Sequence, residues 1–446
     1  MAFRALLIGD ALVDVTLSGG SSPAKMRLGG IIHAARGLWA LKAAYEIAFI
    51  APSNLIDQVM HYALAHGASR ADVLGIVTGA PNVVVIGEPK EVGFQEYELL
   101  LHDEYKCTFE LATLSSKFKE QFTDILIFPG QYDLEVVLRA CSKTKARIHI
   151  DIANGLRSLH ELDAFSRPFE TIITSTSSPL FLGSFRDSPE RMAKELVGKK
   201  CQRFVFKENR GGARLFDSKS VVEVGAQLRP ITHSVGVGDC FDVAYVYMVS
   251  TSDVVAALCY ASFVAADYAG TTYVDDFKRA VQDSLSNSPE AIVRLQGVRI
   301  PWERRPAIHV YIAAPDFDFV DRTPIDSICE SLRYHNFTPH RPIEEHGQMG
   351  KDLSPTRRQE LFNRDVELLE RCQIVVAVLL YDDPGTLIEI GLAAAAKKRV
   401  LVFAPRGAPE NLMLTQLPQL VTQRQDELID GVFRAVAELL AHEKDG

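Results

Sequence analysis

Several things are scarce in this chain of 446 residues. No run approaches the roughly 20 apolar residues that a membrane-spanning helix needs, so no membrane partner is expected. Positive charge is short: 48 Lys and Arg against 57 Asp and Glu leave a net charge of −9. That removes the broad basic face needed to hold a nucleic acid polymer or an anionic bilayer. A single nucleoside or nucleotide needs no such face. Cysteine is sparse and unpatterned. The seven residues (Cys107, Cys141, Cys201, Cys240, Cys259, Cys329, Cys372) are odd in number and never spaced C-x-x-C. Reduced thiols in a cytoplasm are expected from this, and a zinc site is not. The opening MAFRALLIGD has neither the length nor the cleavage site of a signal peptide.

What remains is ordinary globular composition, 47% hydrophobic and 24% charged, on a chain too long for one core, so two or three domains are expected. Strand-like and helix-like segments alternate over the first 300 residues or so. RALLIGD, YEIAFIAP, DILIFPG, RIHIDIA and ETIITS read as strands, and GGIIHAARGLWALKA and NLIDQVMHYALAHG as helices. This is the βαβ rhythm of a mostly parallel sheet. NVVVIGE and QEYELLLHDEY predict a small antiparallel layer beside it. A stretch rich in Ser, Asn, Pro and Arg near 285–306 reads as a linker. A second alternating segment follows, from AIHVYIAAP to the amphipathic QDELIDGVFRAVAELLAH. The expected fold class is α/β, with two doubly wound domains at 1–290 and 306–446 joined by a linker at 291–305.

In an open parallel sheet, ligands sit at the carboxyl ends of the strands. YDDPGT follows QIVVAVLL directly and belongs on that rim, with Thr386 and Glu389 in the first turns of the next helix. Thr386-x-x-Glu389 also fits a capping box, in which the glutamate merely satisfies a backbone N–H. A capping box needs neither Asp382 nor Asp383, however. Carboxylates crowded on a rim cost stability unless a ligand uses them. Asp365, in FNRDVELLERC, can point to the same rim. Tyr311, in the first strand of this segment, can orient a carboxylate by hydrogen bond.

VYIAAPDF, FNRDVELLERCQIVVAVLL, DDPGTLIEIGLAAAAKKRVLVF and ENLM together resemble the nucleoside 2-deoxyribosyltransferase family over nearly all of 306–425. The resemblance implies that Glu389 attacks the anomeric carbon of a nucleoside, forms a glycosyl-enzyme and expels the base. An acceptor base or water then releases the sugar. It implies that Asp383 holds the base, that Asp365 is a second active-site aspartate and that Tyr311 positions the nucleophile. Asn411 and Met413 match a segment lining the sugar site, in some members across a subunit interface, so a homo-oligomer is expected. No cofactor is implied for this domain. One aspartate should be protonated to supply the leaving base with its proton. The acidic APDFDFVDR, with Asp316, Asp318 and Asp321 against Arg322, favours an unphosphorylated nucleoside.

In the first segment SVGVGDCFDVAY sets Gly236, Gly238 and Asp239 where a helix should begin, with backbone N–H groups free to face an anion. A capping aspartate after a Gly turn reads the same way. With LLIGDALVDV, LGGIIHAARGL, IDIANGLR and FKENRGGARLF, this stretch resembles the ribokinase-like carbohydrate kinases over roughly 1–285. The resemblance implies a small β lid on the sheet, Asp14 as a substrate aspartate, Gly29 and Gly30 as the Gly-Gly helix start, and Asp239 as catalytic base. It allows for ATP and Mg²⁺. Three places depart from the family: His233-Ser234 stands for Asp-Thr, His33 or Ala34 for Asn, and ITSTSSPLF for a segment with a metal-site glutamate. Phosphotransfer and a binding-only role therefore both stay open for this domain. For the chain as a whole, N-glycosidic cleavage or transfer, a bifunctional salvage enzyme and a non-catalytic nucleotide sensor are the three readings carried forward.

Overall fold

The protein is described here by a computed structural model covering residues 2–17, 24–94, 97–347 and 353–445. The chain divides into two compact units, Met1–Lys90 with Gln95–Arg299, and Glu91–Phe94 with Ile300–Gly446.

The first unit is built on Ala5–Thr16, whose first half is almost wholly buried. A strand covered on both faces is apolar throughout rather than alternating, which is what ALLIG supplies. It lies parallel between Tyr45–Pro52 and Asp124–Ile127. Beyond Asp124–Ile127 the parallel strands Arg147–Asp151, Phe169–Ser175 and Cys201–Lys207 follow in order. Antiparallel Ala213–Phe216 and Val221–Val224 finish that edge. The far half of Ala5–Thr16 leaves the main sheet to pair with Lys25–Gly30 and Val83–Ile86, and Tyr97–Leu99 adds to the latter. This is the small β layer predicted from NVVVIGE and QEYELLLHDEY. Helices Ile31–Ala40, Val237–Met248 and Val254–Gly270 share one apolar core with the sheet.

The second unit carries five parallel strands in the order Thr338–His340, His309–Ala313, Ile374–Val378, Arg399–Phe403, Leu420–Thr422. By chain position that is 2-1-3-4-5, the flavodoxin-like order, whose switch point lies between the first and third strands. The loops leaving His309–Ala313 and Ile374–Val378 therefore frame a crevice.

The stretch read as a linker is more ordered than its composition predicts. Ser288 caps a helix at Pro289–Arg294 by accepting from the Ala291 N–H. The prolines and serines are helix-start signals here rather than breakers. Ile292 is 1% exposed and belongs to the first unit's core. Trp302 and Arg305 are buried in the second unit. Ile292→Ala should therefore lower the stability of the first unit by about 2–4 kcal/mol, read by urea denaturation. A true linker position would show no change.

Candidate active site

The helix Pro384–Ala395 starts three residues earlier than the Thr386-x-x-Glu389 pattern implied. Its N-cap is Asp383, whose Oδ2 accepts from both the Thr386 N–H and the Thr386 hydroxyl at 2.8 Å. Pro384 at the first helical position reinforces the start. With the cap supplied by Asp383, Glu389 is released from that duty and stands in the second turn. Thr386, Ile390 and Ala393 bury the face toward the sheet, and Glu389 sits at the margin of that face.

Glu389 accepts one hydrogen bond, from the Tyr311 hydroxyl to its Oε1 at 2.6 Å. Tyr311 is fully buried in the middle of His309–Ala313, beside Val375 of the neighbouring strand. A side chain locked in a central parallel strand has little freedom, so it fixes where the carboxylate points. Oε2 of Glu389 has no hydrogen-bond partner among the described residues, and neither does Oδ1 of Asp383. Burial pushes the Glu389 carboxyl up to about 7. The Tyr311 hydrogen bond opposes that rise, and the charges of Asp365 and Asp383 add to it. Burial drives the Tyr311 hydroxyl's own pKa well above its ordinary value, and the Glu389 carboxylate beside it adds to the rise. A carboxyl raised to about 7 exchanges its proton near neutral pH, so Glu389 is ionised for part of the time there.

Asp365, on Pro355–Arg371, is held by His346, whose Nδ1 lies 2.7 Å from Asp365 Oδ1. His346 closes the short helix Pro342–His346. Sequence reasoning passed over it. A lone histidine in PIEEHG carries no spacing signal, and only the fold brings it to Asp365. Asn411 accepts from the Met413 N–H and so caps Leu412–Gln416, and Met413 is exposed. Neither hydrogen-bonds to Glu389 among the described residues. Asp316, counted as a free negative charge beside the site, is clamped by Arg341 through two 2.8 Å bonds. The loop is consequently less repulsive to an anion than its composition implied.

A buried carboxyl with one free oxygen, a fixed phenol behind it and two further carboxylates near it is suited to attack on an electron-poor carbon. Residues 310–421 match the family model of nucleoside 2-deoxyribosyltransferases. The matched stretch contains Tyr311, Asp365, Asp383, Glu389, Asn411 and Met413, the six positions singled out by that resemblance. No curated protein matches the chain.

The first unit brings a second constellation together. Asp14, buried, accepts from His33 Nε2 at 2.8 Å, with Arg27 Nε 3.7 Å away. Burial alone would raise the Asp14 carboxyl, but His33, Arg27 and Arg36 together hold it below its ordinary value. A Cβ on Gly29 would stand 2.0 Å from Asp14 Oδ1, and Gly30 has φ +60°, so both positions require glycine. Gly236, at φ +77°, caps Val237–Met248, and a Cβ there would meet the His33 ring at 2.1 Å. Asp239, in the first turn, is pushed up to about 7 by burial and by Asp151. Asp151, Asp239 and Asp242 bring carboxylate oxygens within 4.8 Å of one another. Lys207 reaches into this group, 2.8 Å from Asp242 Oδ1 and 3.0 Å from Asp151 Oδ2. Asp151, Lys207 and Asp242 were not anticipated as site residues, and His33 only as one of two residues standing where the family has Asn. Asp242 had a readable signal, three residues after Asp239 on one helix face.

Solved structures similar to this chain include Arabidopsis thaliana ribokinase complexed with ribose and ATP, at 14% identity and a TM-score of 0.46, covering 65% of this chain and 100% of that one. Escherichia coli phosphofructokinase-2 in complex with substrates and products follows at 15% identity and 0.48, covering 64% and 100%. Giardia lamblia ribokinase is similar at 12% and 0.47, covering 64% and 99%.

The raised Glu389 carboxyl sets a stability test. The folded state holds its proton more tightly than the unfolded chain does. The stabilisation is therefore present below pH 4.5 and is lost as pH rises toward about 7. Glu389→Gln should be more stable than wild type above pH 7 by roughly 2–3 kcal/mol, the gap closing toward pH 5. Thermal melts across pH read this directly, and a gap independent of pH would contradict the assignment.

Proposed function

We propose that the second unit cleaves or transfers the N-glycosidic bond of a 2-deoxynucleoside, with Glu389 as covalent nucleophile. The observation that carries this reading is the Tyr311–Glu389 hydrogen bond, which aims one carboxylate oxygen and leaves the other free. In the first step Oε2 of Glu389 bonds to the anomeric carbon. The C–N bond breaks, and its electron pair leaves with the base. Positive charge building on the sugar is stabilised by the adjacent carboxylates. Proton delivery to the departing base falls to Asp365, with His346 as its partner. Asp383 Oδ1, unpartnered while Oδ2 caps the helix, is placed to accept from the base. An acceptor base or water then attacks the same carbon and returns Glu389 to its carboxylate.

Desolvation serves this chemistry. A carboxylate kept from water is a stronger nucleophile, and the approach of a cationic sugar favours its ionised form. No cofactor takes part. The clamped Asp316 leaves Asp318 and Asp321 as acidic neighbours of Arg322, and an unphosphorylated nucleoside remains the preferred substrate. Asn411 and Met413 complete the sugar site from a second copy of the chain. The exposure of Leu412 and Met413, and of Ile388 and Leu392 on the nucleophile's helix, supports a homo-oligomer.

Nucleosides assayed with and without an acceptor base should release or exchange base in wild type, and Glu389→Ala should abolish both. Unchanged turnover in that variant would contradict the reading. The rate should rise with pH through about 7 as Glu389 ionises. Tyr311→Phe removes the bond that favours the anion, so its profile should shift to higher pH and its rate should fall by roughly 10–100-fold.

A further inference from the structure

Among the described residues, Asp151, Asp239 and Asp242 form the one cluster with the makeup of a divalent-cation site. The chemistry of the donor set can be judged from its contents. Three carboxylates, from Asp151, Asp239 and Asp242, crowd within 4.8 Å. Asp151 ends the strand Arg147–Asp151, and Asp239 and Asp242 lie on the first turns of Val237–Met248. Lys207 ends the strand Cys201–Lys207, so three elements meet here at the carboxyl edge of the sheet. Its ammonium touches both oxygens of Asp242, at 2.8 and 2.9 Å, Asp151 at 3.0 Å and the Gly238 carbonyl at 3.5 Å.

That position is the one a metal would need. Mg²⁺ demands six oxygens at about 2.0–2.1 Å in octahedral array. An ammonium about 3 Å from the same oxygens fills the space and repels a dication in low-dielectric surroundings. Lys207 is only 8% exposed and cannot swing into solvent without breaking all of these bonds. Gly238 lies so close that a Cβ there would stand 3.2 Å from the ammonium. Removing the lysine would leave three crowded carboxylates uncompensated, that of Asp242 fully buried, a costly arrangement.

We propose that Lys207 is a built-in cation that holds the Asp151–Asp239–Asp242 cluster in place of a divalent metal, so that whatever the first unit's pocket binds is bound without a protein-held metal ion. This is independent of the chemistry at Glu389, which lies in the other unit. It also separates a metal-dependent phosphotransferase from a binding role for this pocket.

The test uses Mn²⁺ alone, added to the full chain and followed by electron paramagnetic resonance. Wild type should leave Mn²⁺ free. Lys207→Met, shown to be folded by circular dichroism, should bind about one Mn²⁺ per chain, at least tenfold more tightly than wild type. The added Asp242→Asn change should abolish that binding. A wild-type Mn²⁺ site that Asp151→Asn removes would overturn the proposal, as would a folded Lys207→Met that binds no more than wild type. Should Lys207→Met not fold, the wild-type titration decides alone. A bound signal lost in Asp151→Asn overturns the proposal, and free Mn²⁺ throughout upholds it.

Discussion

A phenol hydroxyl donating 2.6 Å to a buried carboxyl group is the contact on which the chemistry proposed for the second unit depends. Three properties follow from it. The carboxylate is aimed, because Tyr311 is locked inside a central strand. It is half-restrained, because only one of its oxygens is engaged. It is poised, because burial raises its proton affinity while the hydrogen bond opposes that rise. A lysine in place of the tyrosine would also orient Glu389, but it would neutralise the group that has to bond to a developing cation.

The two units answer several of their acids differently, although Asp239 of the first unit, like Glu389, is raised to about 7 by burial. Among the described residues no lysine or arginine makes an ion pair with Glu389, Asp383 or Asp365. Their partners are a phenol, a threonine with its backbone N–H, and a histidine. In the first unit Asp14 has His33 and Arg27 beside it, and Asp151 and Asp242 share Lys207. A buried acid already answered by a fixed cation contributes to architecture. One left unanswered stores a demand that a ligand can meet. By that physical criterion Glu389 in the second unit and Asp239 in the first are the acids left for a ligand to answer.

Much of this was legible in the chain itself. Buried parallel strands announce themselves as apolar runs, so RALLIGD, DILIFPG and QIVVAVLL placed the sheets, and YDDPGT directly after such a run placed the rim. Tyr311, Asp365, Asp383 and Glu389 could be nominated together because the resemblance of 306–425 to a known family marks all four; of these only Asp383 stands at the end of an element. The helix start at Pro384 was less legible. Thr386-x-x-Glu389 and Asp383-x-x-Thr386 compete for the same cap, and only the local geometry decides between them. Pro289–Arg294 was misjudged because Ser-Pro both breaks one helix and begins another. His346 and Lys207 were illegible for a different reason: each acts on a partner at least 19 residues distant in sequence, and no local pattern encodes such a meeting.

The central claim is a covalent bond between Glu389 and a pentose, and mass spectrometry of intact protein after reaction with a 2-fluoro-2-deoxynucleoside tests it most directly. The fluorine slows release of the sugar more than its capture, so the glycosyl-enzyme should accumulate. The account predicts a mass increase equal to one fluorodeoxypentosyl group, mapped to the peptide containing Glu389 and absent in Glu389→Gln. An adduct on another residue, or continued base release with none formed, would contradict it.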